Sequence, residues 1–578
     1  MILIRKNLFR LKNLCIVLTI IFLFVGLSLF AEWTDDPEVN TSVCTLSGEQ
    51  AIPKLDVGPS GDVYVGYFSY EAGNYNVRLQ RFDEAGNVQW LGSGLLVSDN
   101  TQMSWLTDWD ITVDQDNHAI ITFQDIRDGN NNVYAYRISP DGSFVWGSDG
   151  IALSNSTAFD VSPKVVVTSE NNIVIAWGSD SVTRLQKINA DGVLQWGSSG
   201  IEISGTNDYT WPQLLAVEDD NIIVKYFEDS GPSWAPDRHI YAQKFDADGN
   251  SVWAQPAAIS TAGGITVQTQ ILPLVKDENN GFFIGWWDDR NSDMNYATYV
   301  QYVDSNGDYQ FDTDGILTSI NLNREHMYMY LAYKEDEHIL YCYWNEMDAD
   351  QNLRGIYGQK IDVMGTRKWE DQGRSIIEIS TTNVYPFGIG NYNDGVVVFY
   401  EEGSEQYIKS MALDSNADFV WPDDSSTLCS VNSEKLHPAS SKLSGSQWIT
   451  TWGDDRNVNR DIYVQNVNTD GTLGYIPHSV QVQPNSPNSL IKINPNPLRE
   501  LSTISLTYNA NFDKTPKIQI YNVKGKLVKT LQTQICEKGF KINWDGKNEL
   551  GRDVVNGVYF VLLKSDKVKN IGKILVLK

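Results

Sequence analysis

The chain has 578 residues, more than one ordinary hydrophobic core accommodates, so two or more domains are expected. Aromatic residues at 11% and 44 glycines, without sustained helical periodicity, favour many short strands joined by tight turns. The formal net charge of −28 argues against a nucleic acid or an anionic membrane as partner, because like charges repel. The acidity is uneven: from residue 490 onward, 16 Lys and Arg outnumber 7 Asp and Glu.

The first 31 residues have the pattern of a secretory signal peptide. Basic residues at positions 5, 6, 10 and 12 precede an apolar stretch from Leu14 to Phe30, and Ala31 is the small residue expected at a cleavage site. An uncleaved membrane anchor is the alternative, because the apolar stretch is nearly long enough to span a bilayer. No later segment is apolar enough to cross a membrane, so we expect no integral membrane segment once residues 1–31 are removed.

Beyond the signal, one phrase recurs eight times: an alternating strand, a tight turn with Asp, Asn or Gly, and a short strand that ends in an aromatic residue. It reads QRFDEAGNVQW at Gln80–Trp90 and QKFDADGNSVW at Gln243–Trp253. Successive turns lie 50 to 58 residues apart. In chain order, the turn residues are Gly86, Gly142, Gly192, Gly249, Gly307, Gly365, Ala417 and Gly471.

Each unit contains about four predicted strands, which is the content of one propeller blade. A lone four-stranded sheet leaves both faces partly unburied, whereas units stacked around an axis cover each other. The sequence therefore predicts an all-β fold in which residues 42–476 form an eight-bladed β-propeller, with a seven-bladed ring as the alternative. The recurrent tryptophans are expected to fill the gaps between adjacent blades.

The turn glycines are explained by backbone conformation, since a tight hairpin turn needs a positive φ. Ala417 breaks this pattern, and we expect neighbouring Asn416 to adopt the left-handed conformation instead. Turns such as Asp246–Asn250 bring carboxylates together as calcium loops do, but the rest of a twelve-residue calcium loop is missing. Plain hairpin turns are therefore the main interpretation, bound Ca²⁺ is the alternative, and no other cofactor is predicted.

The two ends of the repeat array predict how the ring closes. The eighth copy stops at Tyr475 without a fourth strand, while an orphan strand, Ser42–Ser47, precedes the first copy. We expect this strand to complete the eighth blade and to remove an open sheet edge. Cysteines after the signal are too few for a disulfide-built scaffold. Cys44 and Cys429 fall at equivalent places on neighbouring blades, which are normally too far apart for a disulfide.

A polar linker with Pro and Asn, residues 477–493, leads to a basic segment, residues 494–578, that reads as a small antiparallel β-sandwich. The motifs of this segment, in order, are NPNP at 494–497, IYNVKGKLVKTL at Ile520–Leu531, NGVYFVLL at Asn556–Leu563 and KILVLK at Lys573–Lys578.

With these motifs in this order, the segment resembles the type A C-terminal sorting domain of the type IX secretion system. The stretch Trp544–Phe560 also resembles the immunoglobulin-like domain of flagellar hook-capping proteins, which is a similar sandwich. The resemblance implies recognition of the tail by the secretion machinery at the outer membrane of a Gram-negative bacterium, followed by removal of the tail or attachment to the surface. A structural sandwich without a sorting role is the alternative.

A second pattern, an aromatic residue followed by Asp and then Arg at spacings of two, occurs three times at matching strand ends. A functional interpretation places these charges at the rim of the ring, where they bind a polar ligand such as a glycan. The alternative is a charged pair that ties one loop to the next blade. The candidate binding residues are Asp125, Arg127, Trp287, Asp288, Arg290, Asp454 and Arg456. Further candidates for stacking on sugar rings, although most are expected in the core, are Trp211, Trp234, Trp286 and Trp344.

The sequence contains no recognisable catalytic constellation, and its six histidines show neither metal-ligand spacing nor a nucleophile partner. The repeat phrase is similar to the tryptophan-docking repeat of eight-bladed quinone-cofactor dehydrogenases, but their adjacent cysteine pair is absent. The sequence therefore favours a secreted or cell-surface, non-enzymatic module that binds a glycan or a protein. The alternatives are a polysaccharide hydrolase or lyase with its site in the propeller funnel, and a structural adhesin.

Overall fold

The computed structural model describes most of the chain, and the predicted signal peptide and most of the predicted linker lie outside the described residues. The described residues are 32–44, 46–102, 106–232, 235–266, 271–476, 491–494, 498–499, 502–507, 517–522, 526–532, 534–536, 539–564 and 569–577. They form strands and turns and contain no helix. Consequently, no helix that could span a membrane is found among them. Contacts divide the chain into two units, Met1–Ile476 and Pro477–Lys578.

The described part of the first unit consists of short strands throughout. They are β1 (Thr41–Cys44), β2 (Gln50–Val57), β3 (Val63–Glu71), β4 (Asn74–Phe82), β5 (Leu95–Ser98), β6 (Asp110–Val113), β7 (Ala119–Asp125), β8 (Asn132–Ile138), β9 (Ile151–Ala152), β10 (Asp160–Val167), β11 (Ile173–Ser179), β12 (Val182–Ile188), β13 (Ile201–Ile203), β14 (Asp208–Ala216), β15 (Ile222–Ser230), β16 (Asp237–Phe245), β17 (Ala257–Ser260), β18 (Leu274–Lys276), β19 (Phe282–Asp288), β20 (Ala297–Val303), β21 (Ile316–Leu317), β22 (Glu325–Lys334), β23 (Ile339–Met347), β24 (Arg354–Asp362), β25 (Arg374–Ser380), β26 (Val384–Tyr392), β27 (Gly395–Glu402), β28 (Tyr407–Leu413), β29 (Ser426–Cys429), β30 (Lys435–Ser440), β31 (Gln447–Asp454) and β32 (Asp461–Asn468).

These strands form eight antiparallel sheets of four strands each within the described residues. Sheets 1 to 7 take the strands in chain order, four at a time, from β2 to β29, and sheet 8 consists of β30, β31, β32 and β1. The first strand of each sheet contacts the first strand of the next, and β30 of sheet 8 contacts β2 of sheet 1. The sheets therefore form a closed, propeller-like ring with the first strands innermost.

The antiparallel order gives the ring two faces. The face that carries the turns between first and second strands, and between third and fourth strands, is called the lower face. The upper face carries the turns between second and third strands and the connections from one sheet to the next. The eight repeat turns predicted from the sequence belong to the lower face, since each follows the third strand of its sheet.

In six of the repeat phrases, the aromatic residue at the end packs on the repeat turn of the following sheet, and Trp33, which precedes the first phrase, packs in the same way on the turn of sheet 1. A Cβ added to the turn glycine would lie against the ring in these seven pairs: Trp33–Gly86, Trp90–Gly142, Trp146–Gly192, Trp196–Gly249, Trp253–Gly307, Phe311–Gly365 and Trp421–Gly471. Several indoles also donate a hydrogen bond to the turn, as Trp253 Nε1 does to the Ser305 carbonyl at 3.0 Å. Two features therefore favour glycine at these turns: the positive φ and the aromatic ring beside the Cα.

Ring closure follows the prediction from the sequence. β1 pairs antiparallel with β32, so the N-terminal strand completes sheet 8, although it is bounded by Thr41 and Cys44. Cys44 and Cys429 are both buried and free, as expected for equivalent sites on different sheets. The register aligns Thr41 with Val464 and Cys44 with Ile462, with a bulge between Ser42 and Cys44.

The N-terminal segment also supplies the tryptophan that the eighth copy lacks. Trp33 packs on the Gly86 turn of sheet 1, and its Nε1 donates to the Glu84 carbonyl at 2.9 Å. The amide of Gln465 donates to the Thr34 carbonyl at 2.7 Å. In sheet 3, the corresponding Gln186 donates to the residue after its own tryptophan, Gly197, at 2.7 Å. Residues 33–44 thus complete sheet 8 with both a docked indole and a strand.

The turn at Ala417 differs from the prediction. Ala417 itself has the positive φ, 63°, and Asn416 is not left-handed. The Asp414 carboxylate accepts hydrogen bonds from the backbone N–H groups of Asn416 and Asp418, at 2.8 and 3.0 Å, which holds the turn closed. These two hydrogen bonds therefore offset the strain of an alanine at positive φ.

The second unit contains two antiparallel sheets of four strands in its described residues. The strands are β33 (Ile491–Asn494), β34 (Ser502–Thr507), β35 (Lys517–Asn522), β36 (Leu527–Gln532), β37 (Gln534–Cys536), β38 (Gly539–Trp544), β39 (Gly557–Lys564) and β40 (Lys569–Val576). One sheet has the order β33-β34-β38-β37 and the other β36-β35-β39-β40. Trp544 and Tyr559 meet at 5.5 Å in the shared core. β33 begins at Ile491, inside the stretch predicted as linker, because its apolar residues alternate as a strand requires.

The docking contact at the point of closure can be tested with two glycines of nearly identical φ, Gly86 at 88° and Gly142 at 87°. Gly86→Ala is expected to destabilise the protein more than Gly142→Ala, by about 1–3 kcal/mol of overpacking. The added Cβ would lie 2.7 Å from the Trp33 backbone nitrogen, whereas at Gly142 the nearest atom, Trp90 Nε1, is 3.4 Å away. The backbone penalty is common to both variants. Urea unfolding measures the difference, and equal losses would contradict the contact at closure.

Candidate functional site

The three predicted Asp–Arg pairs lie at the upper face, each at the end of the second strand of its sheet. The Asp side chains are buried, and Arg127 binds Asp125 through Nε and Nη2 at 2.9 and 2.5 Å. Arg290 binds Asp288 in the same way, at 2.9 and 2.7 Å. In sheet 8, Arg456 Nη2 donates to Asp454 Oδ2 at 2.6 Å. The sequence pattern therefore produces one repeated ion pair on three sheets.

Each arginine of these pairs also contacts the third and fourth strands of its own sheet. Arg290 stacks on the Tyr299 ring at 3.5 Å, and its Nη2 donates to the Asp314 carbonyl, two residues before β21. Arg127 makes the matching contacts with Tyr134 and the Asp149 carbonyl. In sheet 8, Arg456 stacks on Tyr463 and donates to Asn40, just before β1. Arg456 Nη2 also donates to Cys429 Sγ of sheet 7 at 3.2 Å, so the pair of sheet 8 reaches the neighbouring sheet. The described side-chain contacts of Arg127 and Arg290 join strands within one sheet.

The environments of these groups shift their protonation. Burial raises the pKa of Asp125, even though Arg127 opposes the shift. In Asp454, burial acts in the same direction, but hydrogen bonds from Arg456, Ser433 and Trp452 outweigh it and lower the pKa. The carboxylates are thus occupied by protein donors, which leaves the pairs suited to hold the strand ends in place.

The other tryptophans singled out in the sequence differ in position. Trp286 and Trp344 are fully buried, and their indole nitrogens donate to Asp288 and Glu346 at 2.8 and 3.0 Å. Trp211 is half-buried on β14 and packs against the core between sheets 4 and 5. Trp234 lies outside the described residues.

Trp287 is the candidate that leads to a site. It ends β19 beside Asp288, and its ring lies 5.6 Å from Tyr328 of sheet 6. Tyr328 in turn lies 6.1 Å from Tyr385 of sheet 7. All three residues are near the upper face, at the end of a second strand or the start of a first strand. We call Trp287, Tyr328 and Tyr385 the aromatic row.

The aromatic row combines an exposed ring with a buried one. Tyr328 is 40% exposed, whereas Trp287 is 8% exposed. Tyr328 has a φ of 53° and lies in a bulge of β22, an uncommon conformation for a bulky residue that turns it away from the regular strand. The Trp287 indole N–H is buried and has no hydrogen-bond partner among the described residues. A buried N–H without a partner is energetically unfavourable, which makes this indole a candidate donor for a ligand at the row.

Charged side chains border the aromatic row. The Arg354 guanidinium lies 4.7 Å from the centre of the Tyr385 ring, and Glu325, at the start of β22, accepts a hydrogen bond from Gln351 at 2.6 Å. Burial raises the pKa of Glu325. Glu401 stands directly opposite Tyr385 in the ladder between β26 and β27, so both side chains project from the same face of the sheet.

Glu401 is the most strongly perturbed carboxyl beside the row. Burial raises its pKa to about 7, and Lys435 of sheet 8 only partly opposes the shift. Its Oε1 atom is buried without a hydrogen-bond partner among the described residues. Tyr330 has its pKa raised to about 12, first by burial and then by Glu401. A carboxyl that titrates near neutrality is a feature of binding and catalytic sites.

Across the inner ring, sheets 1 to 3 carry a triad of ions. The Asp108 carboxylate lies between Lys54, at 2.7 Å, and Lys164. Although burial opposes it, the two lysines lower the pKa of Asp108 to about 2. One carboxylate thus engages both ammonium groups of this triad.

The lower face carries a pocket of about 430 Å³, lined by the ends of the first strands of sheets 8, 1, 2 and 3. Its charged groups are already paired: Asp114 with Arg137 at 2.7 Å and Lys442 with Asp56 at 3.3 Å. Asp114, Asp116 and His118 lie close enough to hold a metal ion, but Arg137 bridges both carboxylates. In the turn Asp246–Asn250, for which calcium is the alternative interpretation, the Asp246 carboxylate accepts hydrogen bonds from the backbone N–H groups of Asp248 and Asn250.

Comparison with solved structures finds several matches at low similarity. The Dos1 propeller shares 10% identity at a TM-score of 0.42, covering 76% of this chain and 96% of its own. PorZ, a type IX secretion surface component of Porphyromonas gingivalis, shares 10% at 0.35, covering 92% and 71%. The polysaccharide lyase Uly1 shares 9% at 0.37, covering 72% and 89%. None of these likenesses bears on ligand or activity. No curated protein matches the chain.

A family comparison is decisive for the tail. Residues 492–577 match the secretion system C-terminal sorting domain. The second unit is a type IX sorting domain. The resemblance predicted for residues 494–578 is thereby confirmed, with a start two residues earlier. The protein is secreted by the type IX system of Bacteroidetes, whose machinery recognises this domain, and is attached to the cell surface or released.

Sequence reasoning found Trp287 but missed Tyr328, Tyr385 and Glu401. These three lie outside the repeated phrases, Tyr328 on sheet 6 and the other two on paired strands of sheet 7, so no spacing in the chain brings them together. The sequence offered one signal. In other copies the bulge of the first strand contains a Pro, as at Pro53 or Pro212, whereas this copy has Met329 at the matching position, directly after Tyr328.

The role of the Asp–Arg pairs can be tested on sheet 5. Asp288→Ala would leave the Arg290 guanidinium and the Trp286 indole without their acceptor and is expected to lower stability by about 3–5 kcal/mol. Asp312→Ala, an exposed site in the same sheet, is the control and is expected to change little. Chemical denaturation measures both. A neutral effect of Asp288→Ala would show that the pair is free to serve a ligand.

The protonation of Glu401 predicts a pH-dependent stability. A folded pKa raised from 4.5 to about 7 means that wild-type stability is lost as pH rises through 7. Glu401→Gln does not titrate, so it should be more stable than wild type at pH 8, by at most about 3 kcal/mol, and similar at pH 4.5. Glu402→Gln is the control, because Glu402 pairs with Lys409 at 2.6 Å and its loss brings no gain. Thermal melts across this range measure the difference; a pH-independent offset would contradict the assignment.

Proposed function

We propose that this protein is a secreted, non-catalytic module that binds carbohydrate at the aromatic row. In this proposal the eight sheets are the blades of an eight-bladed β-propeller, and the sorting domain is an immunoglobulin-like sandwich. The closed contact order of the sheets, from β2 through β30 and back to β2, supports the blade count. The two packed four-stranded sheets of the second unit support the sandwich.

The observation that carries the proposal is the aromatic row with its unsatisfied indole. Aromatic rings offer a flat apolar surface on which the C–H face of a sugar ring packs, and the polar groups beside them orient the hydroxyls. Tyr328 and Tyr385 provide the surface, and Trp287 supports Tyr328 from the neighbouring sheet. Arg354 and Glu325 border the surface with a donor and an acceptor.

The predicted Asp–Arg pairs enter this proposal as positioning residues. Asp288 and Arg290 fix the end of β19, on which Trp287 stands. The other two pairs fix the matching strand ends of sheets 2 and 8. A rigid frame of this kind limits the entropy that ligand binding would otherwise consume.

A polysaccharide-active enzyme is the second candidate, and Glu401 is the observation that favours it. A carboxyl with a pKa of about 7 has the acidity that suits a general acid at neutral pH. Hydrolysis would require a second carboxylate across the scissile bond. Release of reducing sugar or of unsaturated product from a polysaccharide by the purified protein would favour this candidate over binding alone.

Binding is tested with the full secreted chain and neutral hexasaccharides of the cellulose, xylan, laminarin, mannan and chitin types. Tyr328→Ala and Tyr385→Ala are each expected to weaken the tightest of these complexes about tenfold, because a lost ring contact corresponds to about 1.4 kcal/mol. Tyr309→Ala, a 47% exposed tyrosine on the lower face, is the matched control and should bind as wild type does. Isothermal titration calorimetry measures the affinities.

Two outcomes would contradict the proposal. One is that the wild-type chain binds none of the hexasaccharides. The other is that the Tyr328 and Tyr385 variants bind as tightly as the Tyr309 control, which would move the site away from the aromatic row.

A further inference from the structure

Glu401 occupies a place in sheet 7 that corresponds to Trp287 in sheet 5. Both residues stand one position before the acidic residue that ends the second strand, Glu402 and Asp288 respectively. From this place Trp287 supports Tyr328 of the next sheet, whereas Glu401 projects beside Tyr385 of its own sheet. Sheet 7 thus carries a carboxyl where sheet 5 carries an indole.

The carboxyl of Glu401 lacks the partner that other acids at the upper face possess. Asp125, Asp288 and Asp454 bind arginines, and Glu402 binds Lys409. Glu401 Oε1 is buried without a hydrogen bond from any described residue. Burying a polar atom in this way is unfavourable unless something else supplies the hydrogen bond.

We propose that Glu401 is the hydrogen-bond acceptor of the aromatic row and takes a sugar hydroxyl on its unpartnered oxygen. The proposal rests on the carbohydrate-binding function proposed above and assigns it a specificity-determining residue. A sugar packed against Tyr385 would present hydroxyls along its edge, and the carboxyl directly opposite Tyr385 in the ladder is placed to receive one. The ligand class is therefore an uncharged, hydroxyl-bearing sugar chain.

The groups that face Glu401 come from three strands. Lys435 of β30 acts on it electrostatically, Tyr330 of β22 lies near both Glu401 and Tyr328, and Tyr385 of β26 is its ladder neighbour. Lys435 donates to the carbonyls of Val431 and Ser433 at 2.7 and 2.9 Å, so its ammonium is engaged in its own sheet. Because Tyr330 has a pKa of about 12, it stays neutral across the physiological range.

This environment fixes the sign of the pH dependence. A hydroxyl donates a stronger hydrogen bond to an ionised carboxylate than to a neutral acid. Since Glu401 changes from acid to carboxylate near pH 7, affinity for a neutral sugar should increase as pH rises. A sugar bearing its own carboxylate would show the reverse, because the ionised Glu401 repels it.

The experiment measures the affinity of the full secreted chain for the tightest neutral hexasaccharide between pH 5.5 and 8.5. Wild type is expected to bind about three- to tenfold more tightly at pH 8.5 than at pH 5.5. Glu401→Gln should bind at pH 8.5 about as weakly as wild type does at pH 5.5, and its profile should be flat. Glu402→Gln is the matched control and should retain the wild-type profile, because the carboxyl that it removes is already paired with Lys409.

The outcomes separate this inference from the function on which it rests. A flat wild-type profile, or a Glu401→Gln variant that still follows the wild-type profile, would overturn the role of Glu401 while Tyr328→Ala and Tyr385→Ala still weakened binding. Affinity that falls with rising pH would overturn the acceptor role directly. Absence of binding by wild type at every pH would overturn the carbohydrate-binding function itself. Circular dichroism of Glu401→Gln at each pH shows that the folded variant is being compared.

Discussion

The packing of one indole on the repeat turn of the next sheet is the contact on which the first unit depends. A four-stranded sheet has two apolar faces and cannot bury both by itself, so each sheet must pack against its neighbours. The docked ring makes this packing specific, because at seven of the eight repeat turns it lies against a glycine, as Trp146 does at Gly192. The hydrogen bond from the indole to the turn then fixes the angle between sheets. In a closed ring, every sheet has a neighbour on both sides.

The upper face is arranged differently, and this difference creates the candidate site. There the strand ends are held by ion pairs within each sheet, and these pairs recur on sheets 2, 5 and 8. Such internal ties leave the residues between sheets free to vary. In sheets 5 to 7 these positions hold the rings of the aromatic row and the Glu401 carboxyl.

The repeated features of the fold could be predicted from the sequence, and the single features could not. Eight phrases at one period predicted the sheets, and the orphan strand before Pro53 predicted how sheet 8 is completed. Trp33 escaped notice because it stands alone, without the turn that precedes every other docking residue. Tyr328 and Tyr385 were missed because they meet only through the packing of sheets 6 and 7, and Glu401 because it meets Tyr385 only in a strand ladder. The bulge at Tyr328 is marked in other copies by a Pro, which Met329 replaces here. The tail was identifiable because its motifs belong to a family and not to this ring.

The completion of sheet 8 by β1 has a mechanical consequence for a protein that can be tethered by its tail. β32 is the last strand of the ring before the chain continues toward the sorting domain, and it is flanked by β31 on one side and β1 on the other. A strand at the edge of a sheet has one neighbour, so tension breaks a single row of hydrogen bonds. Pulling β32 out would break its hydrogen bonds to β1 and to β31 together. A drag force on a copy tethered by its tail would therefore act on a strand that is hydrogen-bonded on both sides, and the ring should resist unfolding from this end.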